Sequence, residues 1–175
     1  MPEEQREAWP LETAQRVRDG INPRYRIAVI VALGCGLRQG EVFGLSPQDV
    51  DFERGVIRVR RQVQLRHGRM YFALPKGGKT RVVDTPGSVA AELAGQFLEL
   101  PAVEVELPSG GPEPERERRA FPLVLTTTYG NAIRANIFNV EVWKPALARG
   151  TSGWSAWGKS ARLTAEKSRI TASAG

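Results

Sequence analysis

Gly36-Leu37-Arg38-Gln39-Gly40-Glu41-Val42-Phe43-Gly44-Leu45, with Asp49-Val50-Asp51-Phe52 shortly after it, is the stretch on which the reading of this chain turns. Leu37 to Leu45 has the spacing of a short helix, and Ser46-Pro47-Gln48-Asp49 reads as a turn. Upstream, Tyr25 to Leu33 is apolar nearly all round, which places it in the core as a helix entered near Pro23 and interrupted by Gly34 and Gly36. Further upstream, Trp9, Leu11, Ala14 and Val17 recur at helical spacing and stop at Gly20.

Downstream the period changes to two. Ile57, Val59, Val63 and Leu65 fall on one face, and Arg58, Arg60, Gln62, Gln64 and Arg66 fall on the other. Arg61 breaks the pattern on the apolar face. His67-Gly68 makes a turn into a second strand, Met70 to Leu74. Lys76-Gly77-Gly78-Lys79 makes another tight turn into a third, Arg81 to Val83. The expectation is a three-stranded antiparallel sheet inserted between helices. Ser88 to Leu100 resumes as a helix with Ala90, Leu93, Phe97 and Leu100 inward.

Residues 101–119 hold four prolines, five glutamates and Gly110-Gly111, and read as an exposed loop. Phe121 to Thr126 is a short strand and Tyr129-Gly130-Asn131 a turn. Asn136 to Leu147 is helical, with Ile137, Val140 and Trp143 as core candidates and Pro145 limiting its length. From Gly150 the apolar period vanishes into Gly, Ser, Ala and Lys/Arg with two tryptophans. Residues 149–175 are therefore expected to form a disordered tail.

Composition bounds the function. A hydrophobic share of 41% and a charged share of 25% fit a globular protein. Lys and Arg total 25 against 19 Asp and Glu, a net charge of +6, which favours a polyanionic partner. Cys35 is the only cysteine, so no intrachain disulfide and no cysteine-rich metal site can form. The start, Met1-Pro2-Glu3-Glu4, is unlike a signal peptide. The longest apolar run, Ile27 to Leu33, is far short of the ~20 residues that span a bilayer. A cytoplasmic protein without membrane partner, metal or small-molecule cofactor is expected. A dinucleotide-binding turn at Gly34-Cys35-Gly36 is disfavoured. A lone glycine pattern is weak, and Gly44 and Pro47 end the following helix before it could cross a sheet.

The opening stretch resembles the first conserved box of tyrosine recombinases (phage integrases): Gly-Leu-Arg-x-x-Glu, then a Leu and an Asp-Val-Asp. Lys76-Gly77-Gly78-Lys79-Thr80-Arg81-Val82-Val83 is similar to the family's lysine-bearing hairpin. Leu123 to Thr127, Asn136 to Asn139 and Val142 to Leu147 look like integrases of actinobacterial mobile elements. The resemblance covers about residues 9–148. It implies an α+β, mainly helical catalytic domain with an inserted three-stranded antiparallel sheet, incomplete at the C-terminus.

It also implies roles. In that family a tyrosine attacks a phosphodiester, and fixed cations stabilise the charge that builds on the phosphate oxygens. Arg38 matches the family's first arginine, whose planar fork suits phosphate. Glu41, three positions on and on the same helical face, matches the supporting acid. Lys76 matches the lysine that protonates the leaving oxygen. Between Arg54 and Val83 stand nine Lys/Arg and no Asp or Glu, which suits a phosphate-facing surface, with Arg58, Arg60, Arg66, Lys79 and Arg81 as candidate contacts to double-stranded DNA.

The rest of the family's site has no match here. The only histidine, His67, has Met70 where a His-x-x-Arg box needs arginine, and no tyrosine follows Tyr129, which reads as a turn residue. Trp154 and Trp157 have no supporting motif, and the family's N-terminal DNA-clamping domain has no counterpart. Groups that act as a unit lose nearly everything when one goes, so cleavage is expected to fail. Three readings stay open: an inactive integrase copy, a DNA-binding regulator that competes with an intact recombinase, and a poorly folded product of a disrupted gene. The abrupt change after Leu147 fits a frameshift near codons 148–155, with the missing box in another frame.

Overall fold

The computed structural model describes residues 10–150. The expectations for Trp9 and for the tail from Thr151, with Trp154 and Trp157, lie outside these residues. Helix α1 (Leu11–Gly20) buries Ala14 and Val17 and leaves Leu11, expected inward, exposed. Leu11 sits in the first turn, ahead of the face that meets the rest of the molecule. A 3-10 turn at Pro23–Tyr25, capped by Asn22 on the Arg24 N–H, leads into α2 (Arg26–Cys35). α2 is the core helix that its composition implies, burying Ile27, Ala28, Val29, Val31 and Ala32. It runs through Gly34 rather than breaking there. A Cβ on Gly34 would overlap Val89 Cγ2, so this glycine lets another helix approach. Gly36, at φ 67°, ends α2 in the left-handed conformation. Because a helix, not a strand, precedes the glycines, the dinucleotide reading falls.

The next helix, α3 (Gln39–Phe43), is short and almost wholly buried. Leu37 and Phe43 are 0% and 1% exposed, each worth roughly 1.5–3 kcal/mol of burial as an upper estimate. Ser46 to Asp49, expected as a simple turn, is a 3-10 turn in which the buried Asp49 carboxylate accepts the Ser46 N–H at 3.0 Å.

The strands are β1 (Val50–Asp51), β2 (Val56–Val59), β3 (Gln62–Arg66), β4 (Arg69–Ala73) and β5 (Arg81–Asp84). The expected three-stranded antiparallel sheet is present, but it is made of β1, β2 and β5, while β3 and β4 pair by themselves. β2 and β3 are two pieces of one run, broken at Arg60-Arg61. β4 pairs antiparallel with β3 (Gln62 opposite Ala73), and β5 pairs antiparallel with β2 (Val59 opposite Arg81). β4 and β5 therefore run in one direction along the same broken strand. The lysine loop, residues 74–80, is an excursion between them and not the tip of a hairpin. The one three-stranded sheet has the order β1-β2-β5. The break has a visible cause: the Arg61 guanidinium turns under α3, donating to the Gly44 carbonyl at 3.1 Å and to Asp49 at 2.6 Å.

Helix α4 (Gly87–Glu99) buries Val89 and Leu93, with Ala90, Phe97 and Leu100 only half-buried. Residues 101–119, expected as a loop, build a hairpin of β6 (Val103–Pro108) and β7 (Arg118–Leu123). Val103, Val105 and Leu107 alternate with Glu104 and Glu106, a period of two that the prolines and glutamates mask. The hairpin is anchored on β4: Gly110 N–H donates to the Phe72 carbonyl at 2.7 Å, and the Phe72 and Phe121 rings meet edge to face at 5.1 Å. After β7, Val124 N–H donates to the Leu45 carbonyl at 2.9 Å, tying the chain to the end of α3.

The last helical stretch is α5 (Ala135–Phe138), a π turn (Asn139–Trp143) and α6 (Lys144–Gly150). Pro145 has no N–H for the carbonyl four residues back, and the π turn just before it accommodates that loss without ending the helix. The wider turn also re-aims the face. Phe138 and Trp143 are buried, whereas Ile137 and Val140, expected in the core, are exposed. Among the described residues no helix is long and apolar enough to cross a membrane.

Candidate functional site

Arg38 precedes α3 with extended backbone, and the Glu41 carboxylate accepts its backbone N–H at 2.9 Å, fixing the start of the helix. Glu41 Oε1 also lies 3.5 Å from Arg38 Nη1. The side chain of Glu41 is fully buried, whereas that of Arg38 is 39% exposed. Arg81, at the start of β5, grips both carboxylate oxygens, Nη1 to Oε1 at 2.7 Å and Nη2 to Oε2 at 2.8 Å. This is the bidentate fork that arginine makes best. Burial pushes the Glu41 carboxyl up, but the hydrogen bonds from Arg81 and from the Arg38 backbone outweigh it and hold the group below its ordinary value. The same hydrogen bond raises Arg81, so it stays charged.

α3 can carry Arg38 and Glu41 here because Gly40 and Gly44 let it lie directly on the broken strand. A Cβ on Gly40 would come within 2.8 Å of the Val63 carbonyl, and one on Gly44 within 3.1 Å of Gln62 Cα. Gln39 is held from the other side by Asn139, Nε2 to Oδ1 at 2.7 Å. The helix is pinned at both ends and along both flanks.

The other candidates divide into two groups. Arg58 donates to Asp51 at 2.8 Å, and Arg60 forms an ion pair with Asp49 at 3.3 Å and donates to the Gln48 carbonyl at 3.2 Å. With Arg81 on Glu41, three of the five expected cationic contacts are spent on acids of the chain itself. Lys76 and Lys79 stand exposed on the 74–80 loop, shaped by Gly77 and Gly78 at φ 84° and 69°, with no ion pair among the described residues. Gln62 donates to the Leu74 carbonyl at 2.6 Å, which tethers the loop where it leaves β4. Arg66 and Arg69 flank the His67-Gly68 turn and are also exposed; Arg66 acts on Glu113 through its charge. Arg38, Glu41 and Arg81 come together; Lys76 lies on the loop that feeds Arg81 but makes no contact with Arg38.

Sequence reasoning missed the Asp49 hub, which holds Arg60 and Arg61 at the far end of α3. The signal was present: serine three residues ahead of a carboxylate is a capping pattern, and Arg61 had no place on an apolar face. Also missed was a groove of about 670 Å³ between β6 and residues 127–134, lined also by Ile137, Glu104, Glu106 and Glu141. Its acids do not suit phosphate. Tyr129, at its edge, is 90% exposed, and nothing packs it against Arg38.

The fold is similar to that of solved integrase and recombinase structures. The solved structure of the Tn1549 transposon integrase in complex with circular intermediate DNA superposes over 97% of this chain with a TM-score of 0.64 at 18% identity. XerA recombinase does so over 98% with a TM-score of 0.54 at 17% identity. In sequence the chain resembles the tyrosine recombinase XerC-like protein of Caldanaerobacter subterraneus subsp. tengcongensis, with 34% identity over 59 residues. That stretch is 33% of this chain and 15% of that protein, and the chain spans 54% of the Tn1549 integrase structure and 60% of that of XerA. No protein-family profile matches the chain.

Proposed function

We propose that these residues are the phosphate-binding part of a tyrosine-recombinase catalytic domain, and that the chain holds double-stranded DNA without cutting it. The observation that carries this reading is Arg38: fixed at its backbone by Glu41, yet with its side chain partly open to solvent. A preplaced planar donor in front of a pinned helix suits a phosphodiester oxygen. Lys76 and Lys79 supply further unpaired cations, and the Tn1549 integrase of the same fold is described in complex with DNA. These 175 residues hold no His-x-x-Arg box and no tyrosine beyond Tyr129, which supports the non-cleaving part of the reading for this stretch of chain. The packed core, with Leu37, Ile57 and Leu93 fully buried, favours a folded module over a misfolded product. Such a module would compete with an intact recombinase for the same DNA.

The test is binding of a labelled duplex of arbitrary sequence across a salt series. Neutralising ~3–5 phosphates gives a slope of log affinity on log salt of about −3 to −5. No binding at low salt, or binding indifferent to salt, overturns the proposal. On nicked substrates that trap a covalent intermediate no adduct should form, with or without Tyr129→Phe. An adduct abolished by that substitution overturns the non-cleaving part.

A further inference from the structure

Two arginines meet one buried carboxylate at the start of α3, and they do not share it equally. Arg81 takes both oxygens at 2.7 and 2.8 Å, while the Arg38 guanidinium stands at 3.5 Å, the outer limit of a hydrogen bond. From these unequal distances we infer that Arg81 is a positioning residue that occupies Glu41 so that Arg38 remains free to take a phosphate. The inference rests on the reading of Arg38 as a phosphate donor and goes beyond it. It also removes Arg81 from the surface contacts that its place in a basic segment suggested.

The argument is one of charge and geometry. Glu41 is needed where it is, because its carboxylate closes the first turn of α3 by accepting the Arg38 N–H. A buried carboxylate demands a cation, and if Arg38 were the only one the two would close into a fork and neutralise each other. Arg81 arrives from a strand 40 residues away and satisfies both oxygens, so the cluster of three keeps a net charge of one, carried by Arg38, whose guanidinium is the one not closed on the carboxylate; the two side chains are similarly exposed, 39% and 34%. Arg81 and Arg38 are the charged groups that act on Glu41.

The test uses the full chain, a labelled duplex and four variants. Arg38→Ala should weaken binding at least about tenfold, as loss of a charge-assisted contact does, and lower the salt slope by about 1. Arg81→Met should do the same, because Arg38 then collapses onto Glu41. Glu41→Gln placed on Arg81→Met should restore affinity and slope, since the glutamine amide still accepts the Arg38 N–H but no longer holds its charge. A double variant as weak as Arg81→Met overturns the inference and makes Arg81 a direct contact or a merely structural one. If Arg38→Ala changes nothing, the reading of Arg38 fails first, and the inference with it. Should Arg81→Met or the double variant not fold, Arg81→Gln replaces Arg81→Met and is read by pH. Its affinity should recover as acid protonates the less well-held Glu41, while wild type stays flat over the same range. A variant profile parallel to wild type overturns the inference.

Discussion

Glu41 ties the stability of the site to pH. Its carboxyl is held below the ordinary range when folded, so the unfolded chain binds the proton more readily. The resulting stability is fully present above the ordinary carboxylate pKa and is lost as pH falls through the lower folded value. Glu41→Gln should therefore cost about 1–3 kcal/mol at neutral pH, and the gap to wild type should close as the pH drops below the carboxylate range. Denaturant melts at a series of pH values check this; a gap that persists undiminished into acid contradicts it. At this scale the pairing of Arg38 with Glu41 was readable, because residues three apart on a helix are neighbours whatever the tertiary fold. The grip of Arg81 was not. It depends on how β5 registers against β2, placing Arg81 opposite Val59, and local periodicity does not fix long-range pairing.

Elements whose period is long and apolar, such as α2, were legible as buried helices, because a continuous apolar surface can only be buried, though the run of α2 through Gly34 to Cys35 was not. The β6–β7 hairpin was hidden by its own composition. Only Val105 on β6 is fully buried, so the alternation is diluted by Glu104, Glu106 and the flanking prolines. Ile137 and Val140 mislead for another reason: the π turn takes more residues than the 3.6-residue period, so Phe138 and Trp143, five apart, share the buried face instead. The hairpin makes a sharp prediction for proteolysis. Residue pairs run from Val103–Leu123 to Pro108–Arg118, and the tip beyond them, residues 112–117, is held by Arg116 on Glu113, by Ser109 N–H on the Glu117 carbonyl and by an exposed Glu117–Arg119 ion pair. Limited digestion should cut first within 112–117 and spare 103–108. A first cut between Val103 and Leu107 means the hairpin is not formed in solution.

Across the whole molecule, the basic segment from Arg54 to Val83 is less one-sided than its sequence. It contains nine Lys/Arg and no acid, yet Arg58, Arg60, Arg61 and Arg81 are answered by Asp51, Asp49 and Glu41, all from the α3 to β1 stretch just before it. One-dimensional charge runs cannot show such compensation, because the acids lie next to the segment in space and only just outside it in sequence. The segment's other cations, Arg54, Arg66, Arg69, Lys76 and Lys79, make no ion pair among the described residues and are exposed, the two lysines on the 74–80 loop. Salt dependence should separate the two groups, since only a cation that replaces counterions on a phosphate contributes to the slope. Lys76→Ala with Lys79→Ala should lower the slope of duplex binding by about 1–2 and weaken binding alike for unrelated sequences. Arg58→Ala removes a partly exposed ion pair, costing about 0–1 kcal/mol of stability, and should leave the slope where it was. If instead Arg58→Ala flattens the salt dependence and the lysine pair does not, the strand face meets DNA, and the Asp51 pairing must open when DNA binds.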